Sequence, residues 1–227
     1  STLYFKGIKV DHIFAANKIK LNIKFSKERV SINKIEYIHN MKEKTISFDD
    51  TGILVISDRL ANFFVIILGS LLIGLLAQFS IPVPFSPVPI TGQTIGVVLV
   101  GGILGAKKGS LSILCYIFEG AIGVPVFAGM KSGMHILVGP TAGYLWAFII
   151  AAYITGLLTE KGYTRKPLGS FLSCFTATTL ILVFGALYLA IFSGLNDALI
   201  MGFYPFLVGD VVKSSICAVL LTTFRKF

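Results

Sequence analysis

From residue 60 onward the chain is written in long apolar runs broken by short clusters of glycine, proline and charge. Runs of about 17–25 apolar residues are what a helix needs to cross about 30 Å of hydrocarbon. Helices, not a barrel, fit blocks of that length, because a barrel strand needs only half as many residues and alternates apolar with polar positions. The pattern predicts six spans, over residues 60–79, 90–106, 110–128, 136–158, 168–193 and 203–224. The second and third are short, and only a pair of lysines and a glycine-rich stretch divide them. The expected fold is therefore an all-α integral membrane protein, a six-helix bundle.

Before residue 60 the pattern changes. Residues 1–40 hold eight Lys or Arg against three Asp or Glu, with no apolar stretch long enough to cross. They do not read as a secretory signal, since no apolar core and small-residue cleavage site follow the basic residues. We read 1–40 as a basic extension without a part in the chemistry; a basic segment lying on anionic lipid is the alternative. Residues 41–59, "MKEKTISFDDTGILVISDR" from Met41, form an amphipathic lead-in, and 60–227 form the membrane domain.

Charge then sets orientation. A net charge of +9 would make nucleic acid a candidate partner on a soluble chain, but here the cations sit where topology needs them. Lys107 and Lys108 separate spans two and three, Lys161, Arg165 and Lys166 separate four and five, and Arg225 and Lys226 follow six. The alternate loops hold only Lys131 and Asp197. The positive-inside rule places both termini on the cytoplasmic side of the inner membrane. Composition agrees with the spans: 55% of residues are hydrophobic and 14% charged, against roughly 25% charged in soluble domains.

Several functions are excluded by what the sequence lacks. There is no G-x-x-x-x-G-K-[ST] loop to cradle ATP, no H-E-x-x-H and no G-x-S-x-G, so the ATPase, zinc-protease and serine-hydrolase readings have no constellation to stand on. Cys115, Cys174 and Cys217 lie within the spans and read as small buried apolar residues. His12, His39 and His135 show no metal-ligand spacing. Neither a catalytic role nor a resident cofactor is expected.

The candidate chemistry is concentrated in the ionisable residues of the spans, Glu119, Asp210 and Lys213. A charge at mid-bilayer costs at least about 2.5–3.5 kcal/mol, so such groups face a cavity, pair with one another or bind something. Asp210 and Lys213, in "GDVVKSS", are three residues apart and share one helix face. Either they neutralise each other, or they offer an acceptor and a cation to one polar ligand, with Gly209 permitting close approach. Glu119, in "YIFEGAIGVPVFAGM", is expected at a helix break or outer vestibule. The loop 78–94, "QFSIPVPFSPVPITGQT", carries Pro82, Pro84, Pro87 and Pro89, which hold the backbone extended; its apolar side chains suit it to cover a cavity. Ser70 and Gly74 form a small-xxx-small pair that admits another helix closely, and "GPTAGYLWAF" opens the fourth span with helix-terminal N–H groups.

Four stretches in order, "AQFSIPVPFSPVPITGQT" at 77–94, "GAIGVPVFAG" at 120–129, "GPTAGYLWAF" at 139–148 and "FLVGDVVK" at 206–213, resemble one family. This is the biotin-binding branch (BioY) of the S components of energy-coupling-factor (ECF) vitamin transporters. The resemblance covers about residues 59–227. It implies an ECF S-component fold that captures biotin, as transported substrate, in a pocket closed by the first outer loop. It also implies partnership with a transmembrane coupling protein and an ATPase pair. The resemblance puts the coupling surface on Ser70 and Gly74 and biotin contacts on Asp210 and Lys213. Beside it, the chemistry of biotin suggests Gln93 and Tyr144 as further polar contacts and Phe85, Tyr116, Phe127 and Trp146 as walls for the bicycle. Which end of biotin Lys213 meets stays open, as does homo-oligomerisation. Two departures from the family pattern stand out: Ser70 where a smaller residue is common, and "MKSGMHI" after "PVFAG" where glycines are common. The alternatives are a solitary biotin transporter and an S component for another vitamin.

Overall fold

The structure is a computed structural model that describes residues 59–224, together with the backbone of Asp58 and of four short strands before it. The chain divides into two units, Ser1–Asp58 and Arg59–Phe227. In the first, β1 (Leu3–Phe5) pairs antiparallel with β2 (Ile8–Val10), and β3 (Ile46–Phe48) with β4 (Leu54–Ile56). Apart from these strands, the extension and lead-in expected over 1–59 lie outside the described residues.

The second unit is helical. Helix α1 (Asp58–Gln78) ends at the proline-rich loop, whose neck is closed by the pairing of β5 (Ser80–Ile81) with β6 (Ile90–Thr91). Helix α2 (Gln93–Ala121) is written as one element of 29 residues but contains Gly105 at φ 83°, ψ 174°. A straight helix would hold Gln93 and Tyr116 about 34 Å apart, yet their side chains are hydrogen-bonded. A Cβ built on Gly109 would stand 2.7 Å from the Cα of Gly101. Helix α2 is therefore a hairpin, folded back at Gly105, and its two limbs are the expected second and third spans. Only glycine adopts that turn readily. The Glu160 carboxylate fixes it by accepting the Ala106 N–H at 2.8 Å, which caps the second limb and complements its dipole.

The rest follows in order: α3 (Met134–Val138), α4 (Ala142–Glu160), a 3-10 turn at Tyr163–Arg165, α5 (Pro167–Ser193), α6 (Leu195–Gly202) and α7 (Tyr204–Phe224). By length and composition five helices among the described residues can cross a membrane; with α2 folded back on itself, they make six passes. The expected third span ends early, at Ala121, because Gly123 at φ 106° and Pro125 stop it. The fourth begins late, at Ala142, because Gly139 and Pro140 detach α3 from it.

Helix α4 is the central rod. It packs against both limbs of α2 and against α5, and small residues let the backbones touch: Cβ atoms built on Gly101 and Gly156 would stand 2.4 Å from the Ala152 carbonyl and 2.3 Å from the Ala106 nitrogen. Cys174 and Cys217 lie in this core, all three cysteines are free thiols, and the outward faces are apolar, with Leu68, Leu75, Ile191, Val208 and Val219 exposed as lipid-facing residues are.

The loops after α1, after α2 and before α7 share one face, tied together by Gln78, which donates to Gly74 and accepts from the Met130 N–H, and by Tyr144, whose hydroxyl donates to the Gly202 carbonyl at 2.7 Å. The turn at Gly105, Lys107, Lys108, Glu160 and Arg165 lie at the opposite end. Ser70 and Gly74 both pack inside the protein. Ser70 is 0% exposed and donates to Glu119 at 2.8 Å, while a Cβ on Gly74 would meet Val126 at 3.4 Å. The small pair brings α1 close to the second limb of α2 at Ser70 and to the loop that follows it at Gly74.

Candidate binding site

A cavity opens at the face that carries the proline-rich loop. Its floor and walls come from the start of α2, from α4, α5 and α7; its roof is the Pro87–Pro89 segment and the strand-like stretch from Phe127 to Lys131. The empty space, open mouth and adjoining solvent included, is about 860 Å³. The cavity reaches deep. Lys213 lies nine residues into α7, about 13 Å from its outer end, and Ile181 about 18 Å from the outer end of α5, so the floor is near the middle of the bilayer.

Asp210 and Lys213 both line the cavity. Asp210 is 6% exposed and its Oδ2 accepts the Thr179 hydroxyl at 3.1 Å; behind it Thr178 and Ser214 share a hydrogen bond of 2.9 Å. Lys213 is half-buried, and among the described residues its ammonium has neither a hydrogen bond nor an ion pair. The acid and base therefore share a face without closing on each other. That leaves a carboxylate acceptor and an ammonium donor lining one cavity, which is the arrangement a ligand with both donors and acceptors would satisfy. Space around Gly209 is open, with nothing within 4 Å of a built Cβ.

Gln93, also lining, is 6% exposed and held on both sides: Thr91 donates to its Oε1 at 3.3 Å, and its Nε2 donates to the Tyr116 hydroxyl, which in turn donates to the Val126 carbonyl at 3.1 Å. Phe127 lines the cavity and packs edge-on against Tyr116, with ring centroids 5.5 Å apart. Tyr144 contributes its ring to the wall, its hydroxyl being used on Gly202. Five of the eight residues singled out in the sequence thus meet in one cavity: Asp210, Lys213, Gln93, Tyr144 and Phe127.

The other three lie elsewhere. Tyr116 is fully buried behind Gln93 and positions it. Trp146 is on the outer side of α4, 45% exposed, with its indole N–H donating to the Leu137 carbonyl at 3.1 Å. Phe85 sits on the proline-rich loop, 60% exposed. Glu119 belongs to neither a vestibule nor the cavity: Oε1 accepts from Ser70 and the Cys115 thiol, and Oε2 is buried without a partner.

Other lining residues were not singled out in the sequence. Leu145, Phe148, Ile181, Leu182 and Phe206 make the apolar wall, yet in a membrane helix a cavity-facing leucine and a lipid-facing one read alike. Thr94 lines the cavity with its hydroxyl buried and unpartnered. Lys131 stands at the mouth, where the sequence marked only a loop charge.

The chain is similar to known proteins in both sequence and fold. The model of the BioY family matches residues 43–227, beginning earlier than the resemblance recognisable by motif. A probable biotin transporter BioY of Pyrococcus horikoshii is 42% identical over 144 residues, covering 63% of this chain and 83% of that one. The biotin transporter BioY of Rhizobium etli is 36% identical over 156 residues, covering 65% and 82%. A crystal structure of the S-component for biotin from an ECF-type ABC transporter superposes with a TM-score of 0.69 at 26% identity, covering 76% of this chain and 96% of that one. With a matching fold, a deep cavity in the corresponding all-helical frame and a family match over most of its length, the chain belongs to the BioY family, whose members are transporter S components and not enzymes.

Proposed function

We propose that the chain binds biotin in this cavity and serves its uptake across the membrane as the substrate-capture subunit of an ECF transporter. The observation that carries the reading is that Asp210 and Lys213 line one deep cavity without forming an ion pair with each other, beside an apolar wall. Biotin presents two ureido N–H donors, one carbonyl, an apolar bicycle and a carboxylate. That inventory matches a carboxylate acceptor, an ammonium donor and walls of Phe127, Tyr144, Phe148 and Ile181. Gln93 adds a donor and an acceptor at the rim, held in place by Tyr116. The proline-rich loop is the lid.

On this reading the face with Lys107, Lys108, Lys161, Arg165 and Lys166 is cytoplasmic, in the inner membrane, and the cavity faces outward. Energy comes from a transmembrane coupling protein and an ATPase pair, since the chain carries no phosphate-binding loop. One observation favours a second reading, a solitary transporter: Ser70 and Gly74 are consumed inside the protein, so a partner helix has to dock on other residues. Labelled biotin binding to the purified full chain tests the first claim, with thiamine and riboflavin as competitors; absence of saturable binding, or displacement by another vitamin, rejects it. Uptake into vesicles containing this chain alone separates the two transport readings.

A further inference from the structure

Beneath the cavity floor the interface of α5 and α7 is lined by hydroxyl groups. The two helices run antiparallel, and two hydrogen bonds set their register: Thr178 with Ser214 at 2.9 Å, and the Ser170 hydroxyl donating to the Ala218 carbonyl at 3.2 Å. Cys174 and Cys217 lie between these two rungs, both 0% exposed, and Ser170 interacts with the Cys174 thiol. At the top of the row Asp210 accepts from Thr179 at 3.1 Å and stands against Thr178 as well. At the bottom the turn at Tyr163–Arg165 packs against α4, α5 and α7. Thr164 on that turn is fully buried, so its side chain points in among the three helices.

Serine and threonine between membrane helices serve packing by default, and Thr178 does also donate to the Cys174 carbonyl of its own helix. Two hydroxyls have no such use. Those of Thr164, and of Thr159 at the inner end of α4, are buried without a partner. An unsatisfied buried hydroxyl costs about 1–3 kcal/mol, and two of them at one end of a polar row mark a place for ordered water. The spacing of the row agrees. Four residues of α7 separate Asp210 from Ser214 and four more reach Ala218, about 6 Å each, the span of one water hydrogen-bonded at about 2.8 Å on either side.

A hydroxyl can accept a proton on its oxygen while giving up its own, and in the Thr178 and Ser214 pair either oxygen can be the donor. Water reaches Asp210 through the cavity mouth. The titratable groups around it are Lys213 and Cys217 of α7, Cys174 of α5, Tyr144 of α4 and Lys131 of the roof, while the start of α2 presents the neutral Gln93 and Thr94. Below Asp210, the hydroxyl row is what leads on toward the opposite face.

We propose that this row is a proton route: a proton taken up on the Asp210 carboxylate from the cavity passes by Thr178 and Ser214 to Ser170 and Thr164 and leaves at the opposite face. Each transfer forms one O–H bond and breaks another, so the row ends as it began and one proton has crossed. The route goes beyond the biotin reading and does not depend on it. Through it a chain without a phosphate-binding loop gains access to a proton gradient.

The test uses the purified full chain in potassium-loaded vesicles, with a pH-sensitive dye inside and no vitamin present. Valinomycin makes the interior negative and draws protons in. The original protein is expected to acidify the interior faster than protein-free vesicles do, and Asp210→Asn to abolish the excess. Thr178→Val and Thr164→Val remove a hydroxyl at nearly constant volume, and each is expected to bring the rate down to that of protein-free vesicles. Thr178→Ser and Thr164→Ser keep the hydroxyl and are expected to retain the flux. A purely packing role predicts the opposite order, with the Ser variants, which leave a methyl-sized void, leaking most. Folding of each variant is checked by its Tm. The proposal is overturned if the original protein conducts no faster than protein-free vesicles, if a folded Val variant at either position conducts as the original does, or if the flux survives Asp210→Asn. Any of these leaves the biotin reading standing, because biotin binding is measured separately on the same preparations.

Discussion

Asp210→Asn keeps the size of the side chain and an acceptor for Thr179 but removes the charge that faces Lys213 and the ligand. In the original protein Asp210 is 6% exposed, lines the cavity and accepts the Thr179 hydroxyl at 3.1 Å, so its charge is available to ligand N–H groups. A hydrogen bond to a charged group contributes about 1.5–3 kcal/mol, and every 1.4 kcal/mol is tenfold in affinity. Biotin binding should therefore weaken by about ten- to a hundredfold, measured by calorimetry or by retention of labelled biotin on purified protein. Lys213→Met should act in the same range, and the double variant should fall short of the sum of the two, because both groups meet one ligand ring. Ligand-free Tm is the control. A structural, self-neutralising pair predicts the reverse pattern, a lowered Tm with unchanged Kd, and a Kd within twofold of the original in folded Asp210→Asn would refute the assignment of this residue to the site.

Three further outcomes are expected. Tyr116→Phe removes the hydroxyl that accepts from Gln93 and donates to Val126; the Val126 carbonyl keeps a contact from Gln78, but the buried Gln93 amide loses its partner at about 1–3 kcal/mol, so both ligand-free Tm and biotin affinity should drop, and an unchanged affinity would mean that Gln93 is not a contact. Phe85→Ala, on an exposed tip of the lid, should alter equilibrium biotin binding less than threefold; a loss of tenfold or more would show that the lid carries this ring onto the ligand. Gly156→Ala puts a methyl group 2.3 Å from the Ala106 nitrogen, and overpacking of that kind costs about 1–3 kcal/mol, read as a lower Tm that biotin partly restores by binding the folded state.

How much of this was legible in the sequence depends on where a residue's environment leaves a mark. The ends of the first, fifth and sixth spans were readable to within two residues because charge or a helix breaker stands at each. The hairpin of α2 was readable because Lys107 and Lys108 cannot lie in hydrocarbon, although the element otherwise runs on without interruption. The segment 122–141 was misplaced: apolar content carried the third and fourth spans into it, while Gly123, Pro125, Gly139 and Pro140 decided its real course. In the site, Asp210 and Lys213 stood out because a charge in a span demands a reason. Phe148 and Ile181 did not, and Phe85 and Trp146 were grouped with the walls, for one cause: in a bilayer both sides of a helix are apolar, so side-chain type no longer distinguishes inside from outside. The buried Ser70 and Gly74 show the same loss of contrast for small residues, which serve internal and external helix contacts equally well.

The fold of α2 at Gly105 has a consequence for the lipid around it. Its first limb, residues 93–104, is about 18 Å long and its second, 106–121, about 24 Å, both shorter than a hydrocarbon core of about 30 Å, whereas α5 with 27 residues is about 40 Å. The first limb is largely buried in the protein, so where the second limb meets lipid, headgroups and water reach in to Lys107 and Lys108 if the mismatch is met by local thinning. The missing turns at the other end of the first limb are the room the cavity occupies above Gln93. A short helix thus does two things: it hollows the protein from one side and draws the aqueous boundary inward from the other, so that a solute resting on Asp210 and Lys213 has less than a full membrane left to cross.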